Sequence, residues 1–307
     1  MRVLFVCSYK ETLPNNMAPF IWEQVESLSR QNFDIRFFLV RGKGVKGYIK
    51  SFTELRKAII DSRPDIIHAH YGLCGLLANL QREIPVVTTY HGSDINDSKV
   101  RWLSKLAILL SKENIFVAQS QLKFVNPRKH YAVIPCGISL EVYQEIDKKV
   151  AREKTGLDLE KEYVLFAGAF DNAVKNYPLA KAAMDMIPKT ELLELKGHSR
   201  EQVALLMNAV DCLLMTSHTE GSPQVIKEAM ACGCPIISVD VGDVAEVIRG
   251  VDGCFIVERD SQVIANTIQN VLSENRRTEG RKRIIELGLT NNIVANRLID
   301  IYNQVIG

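Results

Sequence analysis

The stretch from His218 to Val239 constrains the fold most, because it orders a polar loop, a short helix and a buried strand within 22 residues. It reads H-T-E-G-S-P-Q-V-I-K-E-A-M-A-C-G-C-P-I-I-S-V. Ser222 is predicted to cap the helix, Pro223 suits its first turn, and Gly233 can adopt the left-handed conformation that ends it. The apolar run from Pro235 to Val239 is typical of a buried strand. The sequence therefore predicts a helix that begins directly from a loop and leads into a strand.

Two glutamates lie at the start of this predicted helix. Glu220 is in the loop, and Glu228 follows eight residues later, about one and a half turns into the helix. The start of the helix directs unpaired N–H groups and a positive dipole end into the loop, which suits an anion such as phosphate. An unpaired carboxylate at Glu228 would be costly to bury, so it needs hydroxyl or cationic partners. The alternative is an ordinary amphipathic helix with Glu228 as a solvated charge.

The stretch resembles the two-glutamate signature of the retaining glycosyltransferases of family 4. In that family, the second glutamate accepts hydrogen bonds from the ribose hydroxyls of a nucleotide sugar, and the first contacts the donor hexose. The resemblance assigns the ribose to Glu228 and the hexose to Glu220. It further implies that the donor is bound by backbone N–H groups of the loop formed by Gly221, Ser222 and Pro223. Ten positions carry the resemblance: Glu220, Gly221, Ser222, Pro223, Glu228, Ala229, Met230, Ala231, Gly233 and Pro235.

Further donor contacts are predicted upstream in the same half of the chain. Gly168 follows the predicted strand Tyr163 to Ala167, where a glycine lets a diphosphate come close, and Lys175 can neutralise its charge. Ala169 stands where the family usually carries an arginine. The alternative for Lys175 is a surface lysine before a helix. By resemblance, Gly197 lies where the family's backbone meets the nucleotide base.

The first half of the chain is predicted to form a parallel sheet with alternating strands and helices. Residues 41–50 hold four basic residues and three glycines, which favours a flexible loop. Asn15 and Asn16 stand in the first loop, where the family often carries a glycine pair. The predicted strands are Arg2 to Cys7, Ile35 to Val40, Pro64 to His70, Pro85 to Tyr90, Asn114 to Ala118 and Tyr131 to Pro135, with helices from about Pro19 to Arg30 and Thr53 to Ser62.

A histidine follows the strand that ends at Tyr90. His91 begins the sequence H-G-S-D, which resembles the family turn whose histidine reaches the donor sugar from the first domain. A histidine that is neutral near pH 7 can bind a sugar hydroxyl without a counterion. Asp94 is better suited to cap the next segment than to contact the acceptor. His68 and His70 share one face of a strand and are not predicted to bind a metal.

The segment Lys99 to Lys112 combines a tryptophan and four leucines with four basic residues. One interpretation is a basic amphipathic surface that meets anionic lipid. The other is a helix packed in the core whose lysines extend to solvent. The second is favoured here, because the apolar content suits burial in an α/β domain. The tryptophan and the leucines are Trp102, Leu103, Leu106, Leu109 and Leu110.

The charge is unevenly distributed although the net charge is only +2. Residues 1–150 carry 21 Lys and Arg against 14 Asp and Glu, and the remainder carry 17 against 22. A basic half suggests contact with an anionic membrane surface or with a phosphate-bearing acceptor. Solvated lysines are the alternative. No nucleic-acid partner is predicted.

Composition indicates a globular cytoplasmic protein. Of 307 residues, 47% are apolar and 24% are charged, and no apolar run reaches the roughly 18 residues of a membrane span. The apolar run after Arg2 is too short for a signal peptide. Seven scattered cysteines are expected to be reduced, and Cys232-Gly-Cys234 does not have a zinc spacing. Without a D-x-D motif, no metal and no cofactor is expected.

Together these features predict an α/β protein with the GT-B fold, in which two Rossmann-like domains face each other across a cleft. The domains are predicted at 1–145 and 146–290, and a terminal helix in 291–307 is expected to pack back on the first. The predicted activity is metal-independent, retaining transfer of a hexosyl unit from a nucleoside diphosphate sugar to a glycan or lipid-linked acceptor in cell-surface polysaccharide synthesis. The enzyme would be cytoplasmic or peripheral on the inner face of the plasma membrane. The alternatives are a nucleotide-sugar epimerase of the same fold and a non-catalytic two-lobe sugar-binding protein.

Overall fold

The computed structural model describes residues 1–11, 13–42, 44–127 and 130–307, which form two compact units. Unit 1 comprises Met1–Gly137 and Asn291–Gly307, and unit 2 comprises Ile138–Thr290. The division lies eight residues before the predicted boundary near residue 145. Ile138 and Tyr143 are buried in the core of unit 2, so these residues belong with the second unit although the charged composition begins only at Glu141.

Unit 1 contains a six-stranded parallel sheet in the order β2-β1-β3-β4-β5-β6. Successive residues of a strand face opposite sides of a sheet, and β1 shows this alternation. Val3 and Phe5 pack into one core cluster, and Leu4 and Val6 pack into another. The strands are β1 (Arg2–Ser8), β2 (Asp34–Val40), β3 (Ile66–His70), β4 (Val86–Tyr90), β5 (Glu113–Phe116) and β6 (Tyr131–Val133). The helices are α1 (Pro19–Ser29), α2 (Gly44–Ser62), α3 (Gly72–Asn79), α4 (Ser93–Asn96), α5 (Ser98–Leu110) and α6 (Leu122–Val125).

Two predictions for unit 1 need correction. The loop predicted at residues 41–50 is wrong from Gly44 onward, because α2 begins there and continues to Ser62. Tyr48 and Phe52 pack against the same core cluster as Leu55 and Ile59, so the helical apolar spacing extends upstream of the predicted start at Thr53. Lys43, which was part of the predicted loop, lies outside the described residues.

The second correction concerns α5. Leu103 is buried as predicted, but four of the five apolar residues assigned to a packed face are exposed. The exposed fractions are 57% for Trp102, 42% for Leu106, 80% for Leu109 and 36% for Leu110. The interpretation as a helix packed in the core is therefore wrong for this face of α5.

Asparagines in the first loop of unit 1 adopt a conformation typical of glycine. Asn15 and Asn16, which stand where the family often has a glycine pair, have φ angles of 53° and 56°. Asparagine tolerates this left-handed region better than most residues. The local backbone turn is therefore formed without glycine.

Unit 2 contains a five-stranded parallel sheet in the order β11-β10-β9-β7-β8. Core clusters lie on both of its faces, as in doubly wound α/β folds. The strands are β7 (Glu162–Phe166), β8 (Thr190–Glu194), β9 (Cys212–Met215), β10 (Ile236–Val239) and β11 (Cys254–Val257). The helices are α7 (Lys148–Thr155), α8 (Tyr177–Met184), α9 (Arg200–Ala209), α10 (Gln224–Ala231), α11 (Val244–Val247), α12 (Ser261–Glu274) and α13 (Gly280–Glu286).

The last helix, α14 (Asn291–Ile306), belongs to unit 1. Leu298 and Tyr302 lie in the same core cluster as Val3 and Phe5 of β1. The Tyr302 hydroxyl also makes a hydrogen bond with His68 Nδ1 on β3. The chain therefore returns to its first sheet after completing unit 2.

Candidate functional site

Each sheet has one position between two neighbouring strands where the strand order reverses, and we call this position the gap. In unit 2 this gap lies between β7 and β9, because the chain proceeds from β7 to β8 on one side and from β9 to β10 on the other. Open α/β sheets bind ligands outside the carboxyl ends of the strands at this point. Gly168 follows β7, and the loop containing Glu220 follows β9. The strand order therefore brings the two predicted donor-binding loops side by side.

Lys175 and Glu220 form an ion pair at this gap. Lys175 Nζ donates to Glu220 Oε1 at 2.7 Å, and the side chains are 21% and 16% exposed. Partial burial strengthens such a pair relative to one in open solvent. Two of the residues predicted as catalytic therefore meet within unit 2, and the lysine is more than a solvated charge.

Gly168 provides the space for the stem of Lys175. A Cβ atom at residue 168 would lie 2.7 Å from Lys175 Cγ and 3.0 Å from its Cδ and Cε. Such short approaches require a shift of the lysine side chain. The glycine was predicted to let a diphosphate approach, and its direct neighbour in the structure is the lysine that would neutralise that diphosphate.

The lysine loop and the glutamate loop are connected by hydrogen bonds to backbone carbonyls. His218 N–H donates to Val174 O at 2.9 Å, and Thr216 Oγ1 lies 2.9 Å from Lys175 O. The guanidinium of Arg259, just after β11, donates to Ser217 O at 2.8 Å. Sequence reasoning missed Thr216 and Arg259, because neither lies in a recognisable motif. Thr216 connects the glutamate loop to the lysine loop, and Arg259 holds the glutamate loop in place.

The helix of the predicted signature begins one residue later than expected. The N-cap of α10 is Pro223 and not Ser222, and no side chain caps the helix. Proline also has no backbone N–H, so Pro223 cannot donate to a phosphate as predicted. The prediction for Gly233 is confirmed: its φ is 66°, and Cys234 N–H donates to Ala229 O at 2.8 Å to close the helix end.

Glu228 has the hydroxyl partner that its position requires. Tyr143 OH donates to Glu228 Oε1 at 3.0 Å, and the carboxylate is half-buried. Tyr143 is fully buried, so the hydrogen bond helps to orient the carboxylate. Glu228 is therefore not a solvated surface charge. No local signal could have identified Tyr143, which lies 85 residues away in sequence.

A buried lysine next to Glu228 was also missed. Lys227 is fully buried, and its Nζ donates to Gln224 Oε1 at 2.9 Å. Burial raises the pKa of the Asp243 carboxyl, and the charge of Lys227 acts against that rise. Ser222 Oγ lies near this carboxyl, but it makes no hydrogen bond within the described residues. A buried cation and an acid thus lie directly beneath the predicted donor loop.

Gly242 packs closely against Gly221 of the predicted donor loop. Its φ is 62°, and a Cβ there would lie 2.4 Å from Gly221 O. Both features require glycine at residue 242. Its position directly after β10, as Gly168 lies after β7, is the signal that could have identified it.

Gly197 lies after β8, outside this group of contacts. Its φ is 77°, and no atom lies within 4 Å of the position that a Cβ would occupy. Residues next to Gly197 in sequence connect its loop to the Gly168 loop. Leu195 N–H donates to Gly168 O at 3.2 Å, and Phe170 N–H donates to Glu194 Oε1 at 2.7 Å. The nucleotide-base contact assigned to Gly197 stays a prediction.

In unit 1, His91 belongs to a cluster of aromatic and imidazole rings. Its Nε2 lies 2.9 Å from His70 Nδ1, and its Nδ1 lies 3.7 Å from Cys136 Sγ. The rings of Phe20 and Tyr71 lie 4.7 and 4.8 Å from it. These contacts hold the imidazole in place within unit 1, and its role toward the sugar stays a prediction.

The two strand histidines are held neutral. Burial lowers the pKa of His68 to about 3. Burial also lowers the pKa of His70 well below its usual value, and the neighbouring His68 and His91 lower it further. Within the described residues, no group of three or more His, Cys, Asp or Glu side chains could hold a metal ion.

Asp94 stabilises the turn that carries His91. Its carboxylate accepts hydrogen bonds at 3.0 Å from the N–H groups of His91, Gly92 and Gly72. Burial raises its pKa to about 6 in spite of these bonds. The carboxylate therefore joins two loops at the carboxyl edge of the sheet. The prediction that it caps the next helix is wrong, because Asp94 lies inside α4, whose N-cap is Gly92, and Asp97 caps α5.

The cysteines and the helices were also compared with the sequence predictions. All seven cysteines lie in the described part of the chain, and none of them forms a disulfide. No helix in the described ranges is long and apolar enough to cross a membrane.

Comparison with known domains connects this geometry to a protein class. Residues 12–142 match the model for Glycosyltransferase Family 4, and residues 165–274 match the model for Glycosyl transferases group 1. The fold is similar to that of sucrose-phosphate synthase from Thermosynechococcus elongatus, with a TM-score of 0.86 over 99% of this chain and 98% of that chain at 16% identity. The chain has the domains of a GT-B glycosyltransferase.

Two further proteins are similar to this chain. The chain is similar to HepE from Anabaena, solved in complex with UDP, with a TM-score of 0.77 at 15% identity over 99% of this chain and 100% of that chain. It is 27% identical over 240 residues to the teichuronic acid biosynthesis glycosyltransferase TuaC of Bacillus subtilis, which covers 68% of this chain. That region spans 61% of TuaC, so this GT-B chain matches about three fifths of its relative's length.

Proposed function

We propose that this protein transfers a hexosyl unit from a nucleoside diphosphate sugar to a glycan or lipid-linked acceptor, with retention of anomeric configuration. The observation that carries the proposal is the ion pair of Lys175 and Glu220 at the strand-order reversal of unit 2, with Glu228 on the helix that follows the same loop. One cation and two carboxylates there match the three parts of such a donor: diphosphate, hexose and ribose.

Glu228 is assigned to the ribose. Its carboxylate accepts a hydrogen bond from Tyr143, and because a carboxylate has about four acceptor positions it can also accept hydrogen bonds from ribose hydroxyls. Tyr143 fixes the carboxylate before the nucleotide binds, which lowers the ordering cost of binding. The similar HepE structure is a complex with UDP, which supports a uridine nucleotide as the first donor to test.

Lys175 is assigned to the diphosphate and Glu220 to the hexose. In the structure described here the two side chains neutralise each other at 2.7 Å. A diphosphate offers the ammonium a second anionic partner, and Glu220 Oε1 can then accept a hydrogen bond from a sugar hydroxyl. The backbone N–H groups of Gly221 and Ser222 are assigned to the same phosphates.

The proposed reaction needs no metal ion and no protein nucleophile. The bond between the anomeric carbon and the β-phosphate oxygen breaks, and a bond from that carbon to the acceptor oxygen forms on the same face of the sugar. The acceptor's hydroxyl proton moves to the departing phosphate oxygen. Lys175 stabilises the negative charge that develops on the diphosphate. The products are the glycosylated acceptor and a nucleoside diphosphate.

A role in cell-surface polysaccharide synthesis is supported by the name of TuaC, which refers to teichuronic acid biosynthesis. The test is a thermal-shift screen of nucleotide sugars in EDTA, followed by product analysis with lipid-linked and soluble acceptors. The expected result is stabilisation by one donor and a product whose anomeric configuration, measured by NMR, equals that of the donor. An inverted product, or donor isomerised without any acceptor, would overturn the proposal.

A further inference from the structure

One face of α5 in unit 1 is apolar, basic and exposed. Trp102, Leu106 and Leu109 recur at spacings of four and three residues, so they share one side of the helix. Their exposed fractions of 57%, 42% and 80% are high for side chains of this size. Lys99 and Lys105 are exposed at matching helical positions. We call this set of five residues the α5 face.

The opposite side of α5 is fixed to unit 1 through small residues. Ser104 Oγ donates to Asp94 O at 2.7 Å, and Ser111 Oγ, at the C-cap, lies 2.8 Å from Thr88 Oγ1. A Cβ at Gly72 would lie 2.0 Å from Ser104 Oγ, so α3 and α5 pack with no space between them. The helix therefore cannot rotate to bury its exposed apolar side chains. The α5 face is a fixed feature of unit 1.

The surroundings of the α5 face are strongly basic. Residues 98–127 contain five Lys or Arg and one acidic residue, Glu113. Lys112 and Lys123 are exposed, and Arg82 NH1 lies 3.5 Å from Leu110 O at the end of the helix. An apolar stripe surrounded by cations is complementary to a surface that is anionic at its edge and apolar beneath.

An open groove lies beside the α5 face. It has a volume of about 500 Å³, and its lining includes Lys105, Leu109, Val125, Pro127 and His130. Apolar walls with basic residues at the margin continue the character of the α5 face. The groove extends the apolar surface from a helical stripe to an area.

We infer that the α5 face docks on an anionic lipid bilayer, with Trp102 and Leu109 inserted at the interface and the lysines on lipid phosphates. Tryptophan prefers the boundary between headgroups and acyl chains, and lysine side chains can reach outward to the phosphates. The excess of basic residues favours an anionic bilayer over an apolar protein partner or a second copy of this chain, which would place like charges opposite each other. Such docking would not depend on the transfer reaction.

Trp102 provides a direct measurement of insertion. The chain has two tryptophans, and Trp22→Phe leaves Trp102 as the single reporter. With vesicles of phosphatidylcholine containing about 30% of the anionic lipid phosphatidylglycerol, we expect co-sedimentation and a blue shift of Trp102 emission. Binding should weaken in high salt, because salt screens the attraction. Pure phosphatidylcholine vesicles should bind at least tenfold less protein.

Two variants separate the apolar and basic contributions. Trp102→Ser/Leu109→Ser should abolish co-sedimentation. Lys99→Glu/Lys105→Glu/Lys112→Glu should reduce partitioning by about 100-fold or more, since each basic residue contributes roughly fivefold. The matched control is Lys282→Glu/Ile285→Ser on α13, where both side chains are exposed; it should bind like the parent protein.

Three results would overturn the inference. One is equal binding to neutral and anionic vesicles. The second is unchanged binding by both α5 variants. The third is light scattering showing a dimer that the Trp102→Ser/Leu109→Ser variant converts to monomer, because the α5 face would then be a contact between copies. Each variant's circular dichroism and melting temperature should match the parent's, and enzyme activity is not needed for any readout.

Discussion

Lys175 Nζ donates to Glu220 Oε1 across a distance of 2.7 Å, although the two residues lie 45 positions apart in the chain. The loops that carry them leave β7 and β9, which are neighbours in the sheet. In the proposed reaction this pair separates when the diphosphate binds. The first three predictions test that arrangement and its neighbours.

Lys175→Ala should lower turnover by about 100- to 1,000-fold, because one group that stabilises developing charge has been removed. The measurement is donor consumption, with the melting temperature as the check on folding. Lys181→Ala, on the exposed side of α8, is the matched control and should retain full turnover. Full activity of Lys175→Ala would remove this lysine from the site.

Glu228→Ala should weaken nucleoside diphosphate binding by about 10- to 100-fold, because a hydrogen bond to a charged group contributes about 1.5–3 kcal/mol. Calorimetry with a ribonucleotide and its 2′-deoxy analogue gives the sharper test. The parent protein should discriminate between the two, and Glu228→Ala should not. Equal discrimination by both proteins would contradict the ribose assignment. Tyr143→Phe should show a smaller loss, since the carboxylate remains.

Gly168→Ala should lower turnover by about 10- to 100-fold, because the new Cβ displaces the stem of Lys175 and small misplacements of a catalytic group are costly. The check is a double-mutant cycle. In a Lys175→Ala background, Gly168→Ala should have little further effect. Additive losses would mean that Gly168 acts on the donor directly and not through the lysine.

Acid should destabilise unit 1. His68 and His70 have lowered pKa values in the folded protein, so below about pH 6.5 the unfolded chain binds more protons and stability falls as the pH falls. Asp94 acts in the opposite direction, because its raised pKa of about 6 makes the folded state bind its proton first. Two buried histidines outweigh the single buried carboxyl, so we expect a net loss of stability on the order of 1 kcal/mol between pH 7.5 and 5.5.

The measurement is denaturant unfolding at the two pH values. His70→Asn should remove about half of the histidine contribution, since asparagine does not titrate. Equal or greater stability at pH 5.5 in the parent protein would contradict the prediction.

Local features of the chain were predictable from sequence. The glycine that ends α10 was identified at Gly233, because a left-handed residue after a helix favours glycine strongly. The length of α2 was underestimated because its glycines resembled a loop, while Tyr48 and Phe52 already followed the helical spacing. The α5 face was misjudged because apolar content does not tell which side of a helix meets the core.

Non-local partners could not be predicted. Tyr143 reaches Glu228 from 85 residues upstream, and Arg259 holds the loop after β9 from beyond β11. Hydrogen bonds of this kind depend on which strands are neighbours, and no periodicity or spacing encodes that. The buried Lys227 was missed for a different reason, because a lysine in a helix is usually exposed.

The amino-acid sequence alone determined the α/β class, most strands and helices, and the residue types of the candidate donor site. These follow from short-range periodicity, turn chemistry and one compact motif. The tertiary structure alone decided that Lys175 meets Glu220, that Tyr143 orients Glu228 and that the α5 face is exposed. The physical reason is that each depends on the order in which strands pair and on which helix face is buried, and both are set by packing across the whole unit.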